Sequence, residues 1–213
     1  MNADIKAITG QTENLKCIGY QTRIFGDPAL NPIIALAQLE LSQERNDYFI
    51  TCPMYHLQGN DPRENVHPNA RGYAVLGAYY GLVYKRAVID GEGWKPLHPI
   101  AAEVIGSTAL VKFHVPVGKL VIDTEWLPEY LNYGFRVTKP DGTDYTITGV
   151  KVINPSVVKI TTSETMISGS IVKYGHGAGG NLRDEQGKYL TTNPVGGVVP
   201  LHNWCVISQV EVV

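Results

Sequence analysis

The sequence predicts a mixed protein: the C-terminal half of a parallel α/β sheet over residues 1–95, then an antiparallel β-sandwich over residues 96–213. Three observations carry this expectation. The first ninety or so residues run strand, helix, strand, loop, helix, the order of a parallel sheet with crossover helices. They hold only two clear strands, too few for such a sheet to stand alone, so the α/β part reads as incomplete. From about residue 109 onward the pattern changes to short apolar and β-branched runs separated by turn residues, the pattern of a sandwich.

Taken in order, Leu15–Gln21 (LKCIGYQ) is a short apolar run suited to a buried strand. FGDPALNP then supplies a turn and a proline near a helix start, and Asn31–Arg45 places Ile33, Ile34, Leu36, Ala37 and Leu41 at helical spacing. Asp47–Cys52 (DYFITC) is aromatic and β-branched and reads as the second strand. From Pro68, Tyr73, Leu76, Gly77, Tyr80, Val83, Tyr84 and Val88 share one helical face. Lys85 and Arg86 suit its last turn, and GEG closes it. EGWKPLHPI (92–100) reads as a semi-rigid linker packed down by Trp94. Strand-like runs follow at 109–115, 119–123, 133–138, 145–153, 156–162, 168–174 and 203–212. Pro116, Asp141-Gly142, Asn154-Pro155 and a flexible glycine loop at 175–180 divide them.

Composition excludes several classes. With 44% hydrophobic and 18% charged residues the chain is of ordinary globular type. A net charge of −2 and a pI near 6.3 lack the basic stripe of a nucleic-acid binder. No apolar run is long enough for membrane insertion, and the N-terminus shows no signal peptide. Cys17, Cys52 and Cys205 form no CxxC pair and read as buried free thiols. His56, His98, His114, His176 and His202 have no metal-ligand spacing, and GHGAGG opens no helix, so neither a metal nor a nucleotide cofactor is expected. Arg183 and Asp184 are expected to pair locally, and Trp204 and Cys205 to belong to the sandwich core, within its last strand. Trp126, Tyr130 and Tyr133 in EWLPEYLNY could stack on a sugar ring or plug the end of the sandwich; both readings stay open.

The candidate chemistry centres on DPRENVHPNARGYAVLG (61–77). His67 follows a polar loop at the carboxyl end of a predicted strand, where open parallel sheets place their active sites. A histidine there takes a proton from a nucleophile when a carboxylate orients its other ring nitrogen, and Glu64 and Asp61 lie three and six residues upstream. The bland alternative is that His67 only decorates a helix start.

ENVHPNARGYAVLGAYYG resembles the last conserved block of the SGNH (GDSL-like) hydrolases, in which an Asp-x-x-His pair precedes the closing helix. AITGQTENLKCIGYQT, IALAQLEL and DYFITCPMYHLQ are similar to later segments of phage and bacterial carbohydrate O-acetylesterases of that family. VPVGKLVIDT, NYGFRVT, GNLRD and PLHNWCV resemble the β-sandwich appended to phage-type members. The resemblance implies an incomplete SGNH (flavodoxin-like) half, His67 as general base, and Glu64 where the family has aspartate, an arm longer by about 1.5 Å. It implies an acetylated polysaccharide or glycan as substrate and a phage tail or the host cytoplasm as location.

No Gly-Asp-Ser block or Gly-x-Asn motif precedes His67 in family order, and the serines lie in a helix or in the β half without a nucleophile turn. The expected partner is therefore a second polypeptide or upstream segment supplying the nucleophile, with a homo-oligomer as another way to cover the incomplete sheet. Two further readings compete: a non-catalytic glycan-binding or structural tail module retaining a remnant of the fold, and a metal site on Asp61, Glu64 and His67.

Overall fold

The computed structural model describes residues 2–22, 32–57, 67–177 and 179–213. It is a mixed α/β protein with one small parallel sheet and several antiparallel ones. A helix, α1 (Asn2–Thr9), precedes β1 (Cys17–Gln21), α2 (Ile33–Glu44), β2 (Tyr48–Pro53) and α3 (Ala70–Tyr84). The turn after α3, Lys85–Ile89, widens to π geometry. β1 and β2 pair in parallel, Ile18 opposite Phe49 and Gly19 opposite Ile50. Successive strand residues point to opposite faces. Phe49 accordingly packs with Val83, Ala87 and Trp94, whereas Ile50 packs with Leu39 of α2 and with Val206.

The rest of the chain is β-structure: β3 (His98–Ile105), β4 (Thr108–His114), β5 (Val121–Ile122), β6 (Phe135–Thr138), β7 (Ile147–Asn154), β8 (Val157–Thr162), β9 (Ile171–Tyr174), β10 (Leu182–Arg183), β11 (Thr191–Thr192), β12 (Val199–Pro200) and β13 (Ser208–Glu211). A four-stranded antiparallel sheet runs β3-β4-β8-β7 and a three-stranded one β13-β9-β6. Alternate residues of both, among them Val111, Val158, Ile160, Val137, Val172 and Tyr174, enter one core. The chain end joins the two sheets, because Val213 N–H donates to Ala102 O and Val104 N–H to Val213 O.

Several expectations change. The segment 92–100 is not linker throughout: β3 begins at His98, although Trp94 is buried as expected and donates to Ile50 O at 2.7 Å. The 119–123 run yields only the two residues of β5, which pair with β10 from GNLRD. Trp204 and Cys205 are buried but precede β13 instead of lying in it. Cys17 is exposed, because β1 has a neighbour on one side only among the described residues. The 175–180 loop is not simply a flexible connection. Gly179 packs so closely on Tyr55 that a Cβ there would lie 2.6 Å from its ring, and Gly180 abuts the Tyr174 hydroxyl.

The two long helices bury faces other than the expected ones. On α3 the buried residues are Gly72, Val75, Leu76, Tyr79 and Val83, which leaves Tyr73, Gly77 and Tyr84 exposed. On α2 they are Ala35, Leu39 and Ser42, while Ile33 and Ile34 stay 66% and 67% exposed. Both helices are apolar over most of their circumference, so spacing alone does not choose the buried stripe; the neighbouring elements do.

What holds α2 and β1 in place is the return of the chain through residues 199–207. Tyr79 donates its hydroxyl to His202 O at 2.5 Å, Tyr55 to Cys205 O at 2.6 Å, and Val206 N–H reaches Leu97 O at 3.0 Å. The fully buried Gln21 side chain donates to Ala35 O (2.9 Å) and Ile207 O (2.8 Å) and accepts from Ile207 N–H (2.7 Å). Gln21→Leu keeps the volume and strands three buried backbone groups. Urea unfolding should show a loss of about 3 kcal/mol, against an indifferent result if these bonds were incidental.

Candidate functional site

β2 runs into Met54–Leu57, every residue of which is buried, and α3 starts at Ala70. The start of α3 is fixed locally. Pro68 is buried, and the Asn69 side chain accepts from Gly72 N–H at 2.8 Å, an N-cap of the usual kind. His67 lies just before this cap with its side chain exposed, on the side of α3 where the helix dipole is positive. Glu64 and Asp61 lie outside the described residues, so the structure neither pairs them with His67 nor separates them from it.

A small pocket of about 20 Å³, room for about one water, opens beside the first two turns of α3. The continuation of β2 contributes His56 and Leu57, α3 contributes Arg71, Gly72 and Val75, β12 closes one side, and Trp126 reaches in from the loop after β5. No serine lines it. His56 is held by aromatic contacts: it stacks on Trp204 at 5.7 Å and meets Tyr79 edge-on at 5.4 Å. Sequence reasoning grouped His56 with the scattered histidines. The usable signal is its place at the carboxyl end of a strand, in CPMYHL, the position that raised interest in His67.

The wall carrying Trp126 is built on a polar network. Asp123 accepts from the N–H groups of Glu125 (2.9 Å) and Trp126 (2.7 Å) on one oxygen and from Arg183 Nε (2.5 Å) on the other. Burial pushes the Asp123 carboxyl up, but the Trp126 N–H, the Arg183 bond and charge, and the Glu125 N–H together bring it below the usual carboxylate range. Arg183 therefore forms its ion pair with Asp123 and not with Asp184; to Asp184 it gives only an N–H to the backbone carbonyl, at 2.9 Å. Asp184 is completely buried and accepts from Val117 N–H, Gln186 N–H, Asn203 N–H and Asn203 Nδ2. Burial still raises its pKa against these four bonds.

Two cysteines cannot stand in for a nucleophile. Burial pushes the Cys52 thiol up to about 12 and the Cys205 thiol well above its ordinary value, so neither is a thiolate near neutral pH. Among the described residues no group of three His, Cys, Asp or Glu could hold a metal ion. His98 and His114 face each other across β3 and β4 at 5.5 Å, and burial lowers both. No described helix is long and apolar enough to cross a membrane.

His202 Nδ1 accepts from Gly187 N–H at 3.1 Å and faces Arg183 Nη1 at 3.3 Å, which leaves Nε2 as its protonated nitrogen. Burial and the Arg183 charge push its pKa from 6.5 down to about 4; burial and Lys173 do the same to His176. Both side chains take up protons more readily when unfolded. Their contribution to stability is complete above pH 6.5 and is lost as the pH falls through about 4. Thermal melts should fall steadily between those values, and a His176→Gln/His202→Gln double variant should show a shallower decline. An unchanged slope would contradict the assignment.

No family model matches the chain, and no curated protein matches it. Solved structures do match. A carbohydrate acetylesterase from Xanthomonas citri superposes with a TM-score of 0.64 at 14% identity, covering 98% of this chain and 43% of that one. The N-terminal part of the bacterial S-layer protein SbsC covers 67% of the chain at 14% identity, but with a TM-score of 0.33, too low for a shared fold. The chain spans less than half the length of the acetylesterase that it resembles. Over nearly its whole length it therefore has the fold of one part of a carbohydrate acetylesterase.

Proposed function

We propose that the chain is the C-terminal part of an SGNH-type carbohydrate O-deacetylase, with residues 1–95 as part of the α/β domain and 96–213 as its appended β-sandwich. The observation that carries this reading is the asymmetric fold match, 98% of this chain against 43% of an acetylesterase. His67 is the general base, oriented by Glu64, or by Asp61 if the loop folds back. A serine on an upstream segment or a second polypeptide attacks the acetyl carbonyl while His67 takes its proton. His67 returns that proton to the departing sugar oxygen, and a water activated by the same ring then releases acetate. The substrate is an acetylated glycan, and the setting is a phage tail or the cytoplasm of the host.

The outward-facing apolar residues support a completing half. Ile33, Ile34 and Leu41 of α2, Tyr20 of β1 and Tyr84 of α3 are exposed, and such residues in number mark a surface that associates. A second copy of the chain is the other occupant of that surface. Among the described residues no serine lines the pocket, which suits one competing reading, a non-catalytic glycan-binding or structural tail module.

The isolated chain should hydrolyse p-nitrophenyl acetate no faster than buffer. Supplying the α/β segment encoded immediately upstream should restore turnover, and His67→Ala should then remove it by about a thousandfold or more. Glu64→Gln should cost far more than Asp61→Asn. Turnover by the chain alone contradicts the external nucleophile, and none after complementation favours the module.

A further inference from the structure

A groove that the ester-cleaving chemistry does not use runs along β7, which ends the sheet order β3-β4-β8-β7. Its volume of about 510 Å³ lies within the range of about 300–1,000 Å³ for ligand sites. Residues 147–151 of β7 form one wall and residues 129–133 the other. Four steps of about 3.3 Å make the strand wall about 13 Å long, which suits an extended ligand better than a compact one.

The facing wall is held in a costly backbone conformation. Asn132 (φ 50°, ψ 30°) and Tyr133 (φ 56°, ψ 25°) are both left-handed, and no other non-glycine among the described residues has a positive φ. Asparagine visits this region readily, whereas a bulky tyrosine does so only where its surroundings enforce it. Here they do. Tyr133 N–H donates to Tyr130 O (2.8 Å), Asn181 N–H to Tyr133 O (3.1 Å), and Tyr130 N–H to Oδ1 of the fully buried Asn181 (2.8 Å). Gly134 then sits so close to Gly180 that a Cβ on it would lie 2.6 Å from the Gly180 Cα. Glycine or asparagine at 133 would hold the same backbone with less strain, so what the position gains from tyrosine is its ring. A wall fixed in this way loses little freedom when a ligand docks.

Asn132 and Thr148 bring an amide and a hydroxyl to the groove, each able to donate and to accept. Glu129 and Lys151 add one charge of each sign, which favours a neutral ligand over an ionic one. A peptide docking as a further strand needs a regular edge, and β7 is irregular at Ile147/Gly149 and at Val152/Asn154. We propose that the groove binds an unbranched run of neutral β-1,4-linked pyranoses, with the C–H face of one ring on Tyr133 and its hydroxyls on Asn132 and Thr148. Pyranoses with equatorial hydroxyls expose such a face, and the β-1,4 linkage keeps successive rings extended along the strand wall. The proposal deepens the glycan-esterase reading and rests on it for the ligand class: the groove holds the polysaccharide beyond the ring that is deacetylated. One loop joins the two places, since residues 123–133 carry Trp126 to the pocket at α3 and Tyr133 to the groove.

Gly149 is the position that tests this. It lines the groove, its φ lies outside the left-handed region, and a Cβ on it meets nothing within 4 Å. Gly149→Phe should therefore fold, since strands accept aromatic residues, and should obstruct the groove. Calorimetric titration of the intact chain with xylohexaose, cellohexaose and chitohexaose should show saturable binding of at least one. Gly149→Phe should weaken that binding by about tenfold or more, while Tyr133→Phe, which keeps the ring, should stay within about threefold. Tyr133→Asn, which suits the left-handed backbone but lacks the ring, should lose about tenfold. Saturable binding of none of the three sugars, or wild-type affinity in Gly149→Phe, overturns the site; wild-type affinity in Tyr133→Asn overturns the stacking on Tyr133. The two readings fail separately. Hexaose binding without ester hydrolysis after complementation removes the esterase and leaves the groove. Ester hydrolysis after complementation, with none of the hexaoses bound, removes the groove and leaves the esterase.

Discussion

The primary amide of Gln21 is the interaction on which the rest of the structure depends. It ends β1, is completely buried, and bonds at once to α2 through Ala35 and to both backbone polar groups of Ile207. Two parallel strands cannot bury two faces on their own. Here the chain end does part of that work. Val206 fills the space between Leu39 and Ile50, and Val199 and Leu201 pack on Val75 and Tyr79. Losing one such bond leaves a buried donor or acceptor without a partner, so the clasp acts as a unit.

The same return segment connects stability to the candidate site. His202 presents its carbonyl to Tyr79 on α3 and its ring to Arg183, and Arg183 fixes Asp123, on which the Trp126 loop hangs. Trp204 lies against His56. The pocket at the start of α3 is thus bounded by residues far apart in the sequence, from His56 to Pro200. The faces of α2 and β1 turned away from this segment receive no such cover from the described residues, and their apolar side chains stay in solvent. One geometry thus explains both a well-held pocket and an apolar surface left in solvent.

Much of this was legible in the sequence. β1, α2, β2 and α3 lie where the apolar spacing and the punctuation by Pro and Gly placed them, and each of the seven later strand runs contains a strand. The helix faces were not legible, because an all-round apolar helix such as α3 is oriented by what it meets: Tyr79 by the His202 carbonyl, Gly72 by its cap. Arg183 and Asp184 misled for a related reason. Adjacent opposite charges suggest a local pair, but Arg183 ends β10 and reaches Asp123 sixty residues away, while Asp184, just past the strand, accepts from backbone N–H groups and Asn203. His67 was found from its position before a helix; His56 and Trp126 were not assigned to the site, since only the folded chain brings them to one pocket.

The central claim is that the α/β elements stand on the returning chain end instead of forming an independent unit. Native-state hydrogen exchange tests it most directly. The amides of Gly19, Ile50 and Ile207 should open with the same free energy as those of Val158 and Val172 in the β core, within about 1 kcal/mol, in one cooperative transition. Exchange of Gly19 and Ile50 through a separate opening of much lower free energy, with Ile207 still protected, would contradict it.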